Sequence, residues 1–269
     1  MHNGIIYLGS EYIYNDKRCS NNDRLELKEA LKEIEKEIKK TGVKVIRPLR
    51  IKSEEMCMSL WVRDSSITID NKVYLLPQMI NNKERSIQIK SEVGVIPYRE
   101  GGIIVPENVN LDGGDVIIDG NRIFVGKGGR TDNSGVLYMM ERFKKKEIIV
   151  IPHHGLHLDC CFGVLPGGKV LYSSTYIKRM PKVVRENYDC KRVEDLMKKG
   201  DEPNLGTNYL LIGETVITAY KKKFEKIYEY MRKNGLIVKT IPFKNIFRGG
   251  GGVRCMTQWY KMPEGQQIF

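Results

Sequence analysis

Long apolar runs, zinc-type cysteine pairs and nucleic-acid motifs are all missing from this sequence. No stretch of the 269 residues approaches the ~20 consecutive apolar side chains of a membrane-spanning helix. The opening Met-His-Asn-Gly-Ile-Ile-Tyr-Leu-Gly-Ser-Glu has no basic head and no extended apolar segment. A secretory leader is therefore not expected, and a cytoplasmic setting is. With 26 glycines and 10 prolines the chain is not fibrous, and 41% hydrophobic residues is too many for a disordered one. Six cysteines stand at 19, 57, 160, 161, 190 and 255, with no C-x-x-C pair. That spacing supports neither a structural zinc site nor a dense disulfide scaffold, so the thiols read as reduced. Neighbouring Cys160 and Cys161 would not readily bond each other.

The formal charge is +12, from 45 basic and 33 acidic residues. Such a balance invites a nucleic-acid partner. Much of it lies in mixed Lys/Glu stretches such as Lys28–Lys40, where glutamates alternate with the lysines as on a solvated helix face. No RNP motif or Cys/His finger accompanies the charge, so nucleic acid is not the expected partner. The length suits one folded unit over residues 1–269 with a sizeable core.

What is present is repetition. Ser66–Leu75, Val116–Val125, Gly163–Tyr172 and Tyr209–Thr218 each read as apolar strand, tight turn, apolar strand. Their turns hold Asp-Asn, Asp-Gly-Asn, Pro-Gly-Gly and Gly-Glu, and Gly, Asn and Asp tolerate positive φ. Helical stretches Asp23–Thr41 and Lys221–Asn234 each end at a glycine, Gly42 or Gly235, and run into a further apolar strand. The unit is strand, turn, strand, helix, strand. A fifth hairpin is expected between the tail, Met256–Phe269, and the opening strand Ile5–Leu8, closing a ring with both ends of the chain.

Polar residues keep phase with these units. Asp64, Asp112, Asp159, Asn208 and Cys255 each precede the first strand of a unit, at intervals of 48, 47, 49 and 47 residues. A lone Asp or Asn there would simply serve a turn. Three carboxylates, an amide and a thiol in phase would instead share one central cavity. Cys255 follows Gly249–Gly252, and four glycines fit a close backbone approach to a ligand better than a linker running into a strand. A thiolate there could attack carbon, although a buried inert cysteine has the same sequence. His157 and Asp159 are two apart and would face one side of a strand, suited to proton transfer beside a cation. A cavity with several carboxylates calls for a cation, and a guanidinium offers paired N–H donors to each. The histidines His153, His154 and His157 lie on no clear helix and have no matching distant ligands, so a metal site is not expected.

These motifs resemble the guanidino-group-modifying superfamily of arginine deiminases, agmatine deiminases, dimethylarginine dimethylaminohydrolases and amidinotransferases. Leu111–Thr131, with Asp-Gly-Gly-Asp and Gly129-Arg130-Thr131, and Gly155–Leu158 are closest to the dimethylarginine hydrolases. Asp159 departs from them and matches the His-x-Asp of arginine deiminases and amidinotransferases. Trp61-Val62-Arg63-Asp64 and the Gly-rich Cys255-Met256-Thr257-Gln258 end resemble agmatine deiminases, but Arg254 replaces their histidine. The resemblance implies a five-bladed α/β propeller (pentein) with pseudo-fivefold strand-strand-helix-strand repeats. It implies Cys255 as nucleophile, His157 as general acid and base, and Asp64, Asp112 and Asp159 as guanidinium ligands. Arg130, and Arg85 on a weaker match, would hold a substrate carboxylate. Asn208, Gly251 and Gly252 would line the substrate site. No metal or organic cofactor is implied, the partner is a small guanidino substrate, and a homodimer is admissible. Free L-arginine going to L-citrulline and ammonia is the favoured reaction. Amidinotransfer, N-methylarginine hydrolysis and a non-catalytic RNA-binding propeller remain the alternatives.

Overall fold

Each of the four internal strand–turn–strand repeats folds as an antiparallel hairpin. The computed structural model describes residues 4–9, 21–47, 60–76, 101–242 and 251–262. The strands are β1 (Ile5–Leu8), β2 (Lys44–Ile46), β3 (Ser66–Ile69), β4 (Lys72–Leu75), β5 (Ile103–Ile104), β6 (Val116–Asp119), β7 (Arg122–Lys127) and β8 (Glu147–Pro152). They continue with β9 (Phe162–Leu165), β10 (Lys169–Tyr172), β11 (Asp189–Arg192), β12 (Tyr209–Ile212), β13 (Thr215–Tyr220), β14 (Ile237–Pro242) and β15 (Thr257–Lys261). The β3–β4 turn holds Asp70 and Asn71 at φ 50° and 59°, the double positive φ that matches the twist of a two-residue hairpin.

The described strands form five three-stranded sheets of one topology. In each, the middle strand pairs antiparallel with one neighbour and parallel with the other. Four sheets use consecutive strands, β3–β5, β6–β8, β9–β11 and β12–β14. The fifth has the order β15-β1-β2 and joins the two ends of the chain. Its register, from Leu8 opposite Thr257 to Ile5 opposite Lys261, is the hairpin expected between tail and opening strand; residues 263–269 lie outside the described residues.

A parallel partner requires a crossover, and among the described residues helices supply it in four of the five sheets. They are α1 (Asn21–Lys40), α2 (Asn133–Arg142), α3 (Lys182–Asn187) and α4 (Glu225–Lys233), each between the second and third strand of its unit. Gly42 (φ 82°) and Gly235 (φ 85°) follow α1 and α4 in the left-handed region, as expected of helix stops. Asp132 caps α2, its carboxylate accepting from the Ser134 and Gly135 N–H groups at 2.7 and 3.4 Å. The α1 lysines pair along the helix surface with glutamates three or four residues away.

Apolar clusters join the sheets in sequence. Ile67 and Ile69 pack with Val116, Ile123 and Val125. Ile117 and Phe124 pack with Phe162 and Val164. Leu165 and Leu171 pack with Tyr209, Leu211 and Val216. Leu210 and Ile217 share a cluster with Ile6, Leu8 and Trp259, under α1. Tyr7 and Val62 connect the terminal sheet back to the unit of β3. Just before each first strand lies a short turn: Val62–Ser65, Gly113–Asp115, Leu158–Cys160, 204–207 and 253–256. These five turns carry, or directly adjoin, the five phased polar residues.

Candidate active site

The turns at 62–65, 113–115 and 158–160 touch one another in chain order, and their polar side chains are buried together. Asp112 and Asp159 are 0% exposed, His157 3% and Cys255 4%. The expected strand alternation does not place His157 and Asp159. His157 is the extended residue before the Leu158–Cys160 3-10 turn and Asp159 lies inside that turn. Even so, ligand atoms of His157, Asp159 and Cys160 fall within 4.8 Å of one another.

Two ionic clusters make up the pocket. In the first, His157 Nε2 lies 3.1 Å from Asp112 Oδ2 and Nδ1 lies 3.7 Å from Asp64 Oδ1. The 3.1 Å contact is off the N–H axis, so it acts as an ion pair rather than an aligned hydrogen bond. Burial alone would pull the imidazole pKa down; Asp112 and Asp64 overcome it and hold it well above the ordinary value. Asp112 is itself fixed. Its Oδ1 accepts from Gly114 N–H at 3.0 Å, and its N–H donates to Thr131 Oγ1 at 3.0 Å.

In the second cluster, Asp159 Oδ2 lies 3.7 Å from Arg254 Nε and 3.9 Å from Arg63 Nε, and makes no hydrogen bond. Burial raises the Asp159 pKa despite His157, Arg254 and Arg63 nearby. Burial, then repulsion from Arg254, pushes the Arg63 guanidinium down to about 9. Arg63 Nη1 also donates to Gln258 Oε1 at 2.5 Å. The guanidinium groups that Asp159 meets here are thus the protein's own.

Asn208 bridges to the thiol. Its Nδ2 donates to Cys255 Sγ at 3.1 Å, while its Oδ1 accepts from Arg254 N–H at 3.0 Å. The glycines make room for these contacts. A Cβ on Gly252 would stand 2.5 Å from Asn208 Oδ1, one on Gly251 2.2 Å from the Trp61 ring, and one on Gly114 2.7 Å from the His157 ring. Gly249, Gly250 and Arg85 lie outside the described residues. Arg130 is half-buried in the turn after β7, next to Thr131, whose hydroxyl accepts from Asp112 N–H.

Several contributors carried no role in the sequence reading. Asp115, the second aspartate of Asp-Gly-Gly-Asp, is fully buried. Its Oδ1 accepts from Leu158 N–H at 2.7 Å and meets His153 Nε2 at 3.0 Å, which ties down the His157 turn. Arg63 and Arg254 each stand beside a phased residue, but nothing in one-dimensional spacing says that both turn to the same carboxylate. Asp64, Asp112 and His157 also form a set of metal-ligand type. The same acceptors also suit an organic cation that offers an N–H donor to each.

The arginine deiminase family model matches residues 25–205 and 193–260, and the chain belongs to that family of guanidino-modifying enzymes. It is 29% identical over 153 residues to the uncharacterized protein YkgA of Bacillus subtilis (strain 168), covering 56% of this chain and 52% of that one. It is 22% identical over 188 residues to an arginine deiminase of Limosilactobacillus reuteri (strain DSM 20016), covering 55% and 46%. The chain thus spans about half the length of the curated relatives it matches. Among solved structures, it resembles the product-bound N-terminal domain of ArgZ, an arginine dihydrolase from the Ornithine-Ammonia Cycle in Cyanobacteria. The TM-score is 0.80 at 18% identity, over 97% of this chain and 98% of that one. DDAH from Pseudomonas aeruginosa, complexed with citrulline, gives 0.75 at 15% identity, over 96% and 99%. These likenesses establish the α/β fold. Among the described residues no helix is long and apolar enough to cross a membrane.

Proposed function

We propose that this protein hydrolyses the guanidino group of free L-arginine to L-citrulline and ammonia, at one site inside a five-bladed α/β propeller spanning the chain. The observation that carries the reading is Asp159. It is a fully buried carboxylate whose Oδ2 makes no hydrogen bond, in one pocket with His157, Cys255 and two further aspartates. A planar cation with paired N–H donors satisfies such an acceptor, and an N-methylated guanidine presents fewer of them.

In this reading Asp64, Asp112 and Asp159 orient the substrate guanidinium. Asn208 holds the Cys255 sulfur, and the small Gly251 and Gly252 let backbone approach the ligand. Cys255 thiolate adds to the guanidinium carbon, and His157, kept protonated by its two carboxylates, protonates the departing ammonia. A planar thiouronium remains. Neutral His157 then takes one proton from water, which adds to the same carbon; the thiolate leaves as the carbonyl forms, and the second water proton passes to the solvent with the released ammonia. Arg130 and Arg85 hold the substrate α-carboxylate. No step calls for a metal or organic cofactor.

The test is incubation with arginine, agmatine, mono- and dimethylarginine and guanidino acids, with products identified by mass beside a Cys255→Ala protein. Citrulline and ammonia from arginine, lost by at least ~10⁴-fold in the variant, are expected. Citrulline with a methylamine would reassign the substrate. Turnover only after an amine acceptor is added would make the protein an amidinotransferase.

A further inference from the structure

The mechanism uses one thiol, yet the pocket holds two. Cys160 is 1% exposed and packs in one apolar cluster with Cys255, Leu205 and Trp61. The same amide reaches both sulfurs: Asn208 Nδ2 is 3.1 Å from Cys255 Sγ and 4.0 Å from Cys160 Sγ. Cys160 therefore faces the nucleophile across a single side chain. Cys161 does not, for its Sγ turns to the His157 carbonyl oxygen at 3.7 Å. Cys190 Sγ turns to the Val184 carbonyl oxygen at 3.9 Å, on a different part of the fold.

We propose that Cys160 and Cys255 form an oxidisable pair, a modification site in which a hydroperoxide converts the nucleophile to an intramolecular disulfide with Cys160. The reading takes from the proposed function only that Cys255 is a reactive thiol. The steps balance. Cys255 thiolate attacks one peroxide oxygen, the O–O bond breaks, and sulfenic acid and hydroxide form. The Cys160 sulfur then attacks the Cys255 sulfur; the S–O bond breaks, and the Cys160 proton leaves with the hydroxyl as water. The two thiols lose two electrons and the peroxide gains them.

The two sulfurs are not equivalent, which assigns the order. Cys255 accepts the Asn208 N–H at hydrogen-bond distance and is the better seat for negative charge. The neighbouring Cys255 sulfur and burial together keep Cys160 protonated, its pKa held well above the ordinary thiol value. Cys255 is thus the sulfur oxidised first and Cys160 the one that resolves it. Once Cys255 is a neutral sulfenic acid, its own opposition to Cys160 ionisation is gone, which leaves burial and the Asp159 carboxylate, whose Oδ1 accepts the Cys160 S–H at 3.4 Å. Conversion to a disulfide then competes with further oxidation of Cys255 to the irreversible sulfinic acid.

The experiment treats the full-length protein with hydrogen peroxide, alkylates remaining thiols, and maps a non-reduced digest by mass. A Cys160–Cys255 cross-linked peptide is expected in the wild type and in Cys161→Ala, and is absent from Cys160→Ser. This readout needs no turnover, so it stands apart from the identity of the substrate. Where turnover is followed, each protein is read against its own untreated rate. Peroxide lowers wild-type activity about tenfold and dithiothreitol restores it, whereas Cys160→Ser is not restored. Sulfinic acid on wild-type Cys255 without the cross-link would overturn the proposal. So would a bond to Cys161 instead of Cys160, or equal recovery of Cys160→Ser.

Discussion

The pocket is built from two ionic clusters with opposite imbalance. On one side a single imidazole lies between two carboxylates, His157 with Asp112 and Asp64. On the other a single carboxylate lies between two guanidinium groups, Asp159 with Arg63 and Arg254. The first holds an excess of negative charge and pushes its histidine pKa up. The second holds an excess of positive charge, and burial together with repulsion from Arg254 pushes Arg63 down to about 9. Neither is a balanced salt bridge of the kind that only stabilises a fold. A bound cation would offset the first imbalance and an anion the second. In a buried site such fixed charges act with little screening.

The largest effect should come from the carboxylate-rich side. Asp112→Asn keeps the shape but removes the nearer negative charge from His157. Turnover should fall by ~10²–10⁴. The sign of the pH change is fixed by the cause: with less anionic support the imidazole loses its proton more readily, so the basic limb of the kcat/KM profile moves to lower pH. Steady-state rates across pH 6–10 would read both. A variant with the wild-type basic limb would mean that Asp112 does not set the His157 proton.

On the arginine-rich side the effect reaches folding as well as substrate binding. Asp159→Asn leaves Arg63 and Arg254 facing each other without their carboxylate, and breaking a buried pair in this way costs about 3–5 kcal/mol. Replacing Arg254 by Met in the same protein removes the repulsion. The double variant should regain a large part of the loss, a coupling that urea unfolding of the two single variants and the double one measures. Strict additivity would deny that Arg254 and Asp159 form one unit.

The contrast also separates what sequence makes visible from what it hides. Hairpins were legible because Asp70-Asn71, Gly120 and Gly213 mark turns between alternating apolar strands, and the phase of Asp64, Asp112, Asp159, Asn208 and Cys255 followed from the repeat. Pairing of Ile5–Leu8 with the tail followed from the need for a fifth hairpin. The internal arrangement of the pocket was not legible. Arg63 and Arg254 belong to different units, 191 residues apart in sequence, and only three-dimensional closure brings both to Asp159. His157 and Asp159 share a pocket through a 3-10 turn, which a period-two reading cannot foresee. Asp115 was hidden for another reason: its partners are the Leu158 backbone and His153, and a backbone acceptor role leaves no side-chain pattern.

The smallest effect is the pH dependence of stability, and it tests the first cluster without substrate. His157 has a folded pKa raised above its unfolded value of about 6.5. Its ion pairs therefore stabilise the native state in full below that unfolded value, and the contribution fades as pH rises through the raised folded value. Each tenfold difference in proton affinity between the two states is worth about 1.4 kcal/mol. Wild type should accordingly lead Asp112→Asn most at pH 6, with the gap narrowing steadily toward pH 9 in urea unfolding at constant m. An asparagine side chain and its backbone could still make the bonds to Gly114 and Thr131, so a gap that stayed level across pH would mean that the two proteins differ for a reason other than the His157 charge. The charge on His157 would then lose its claim to be what distinguishes this side of the pocket from the other.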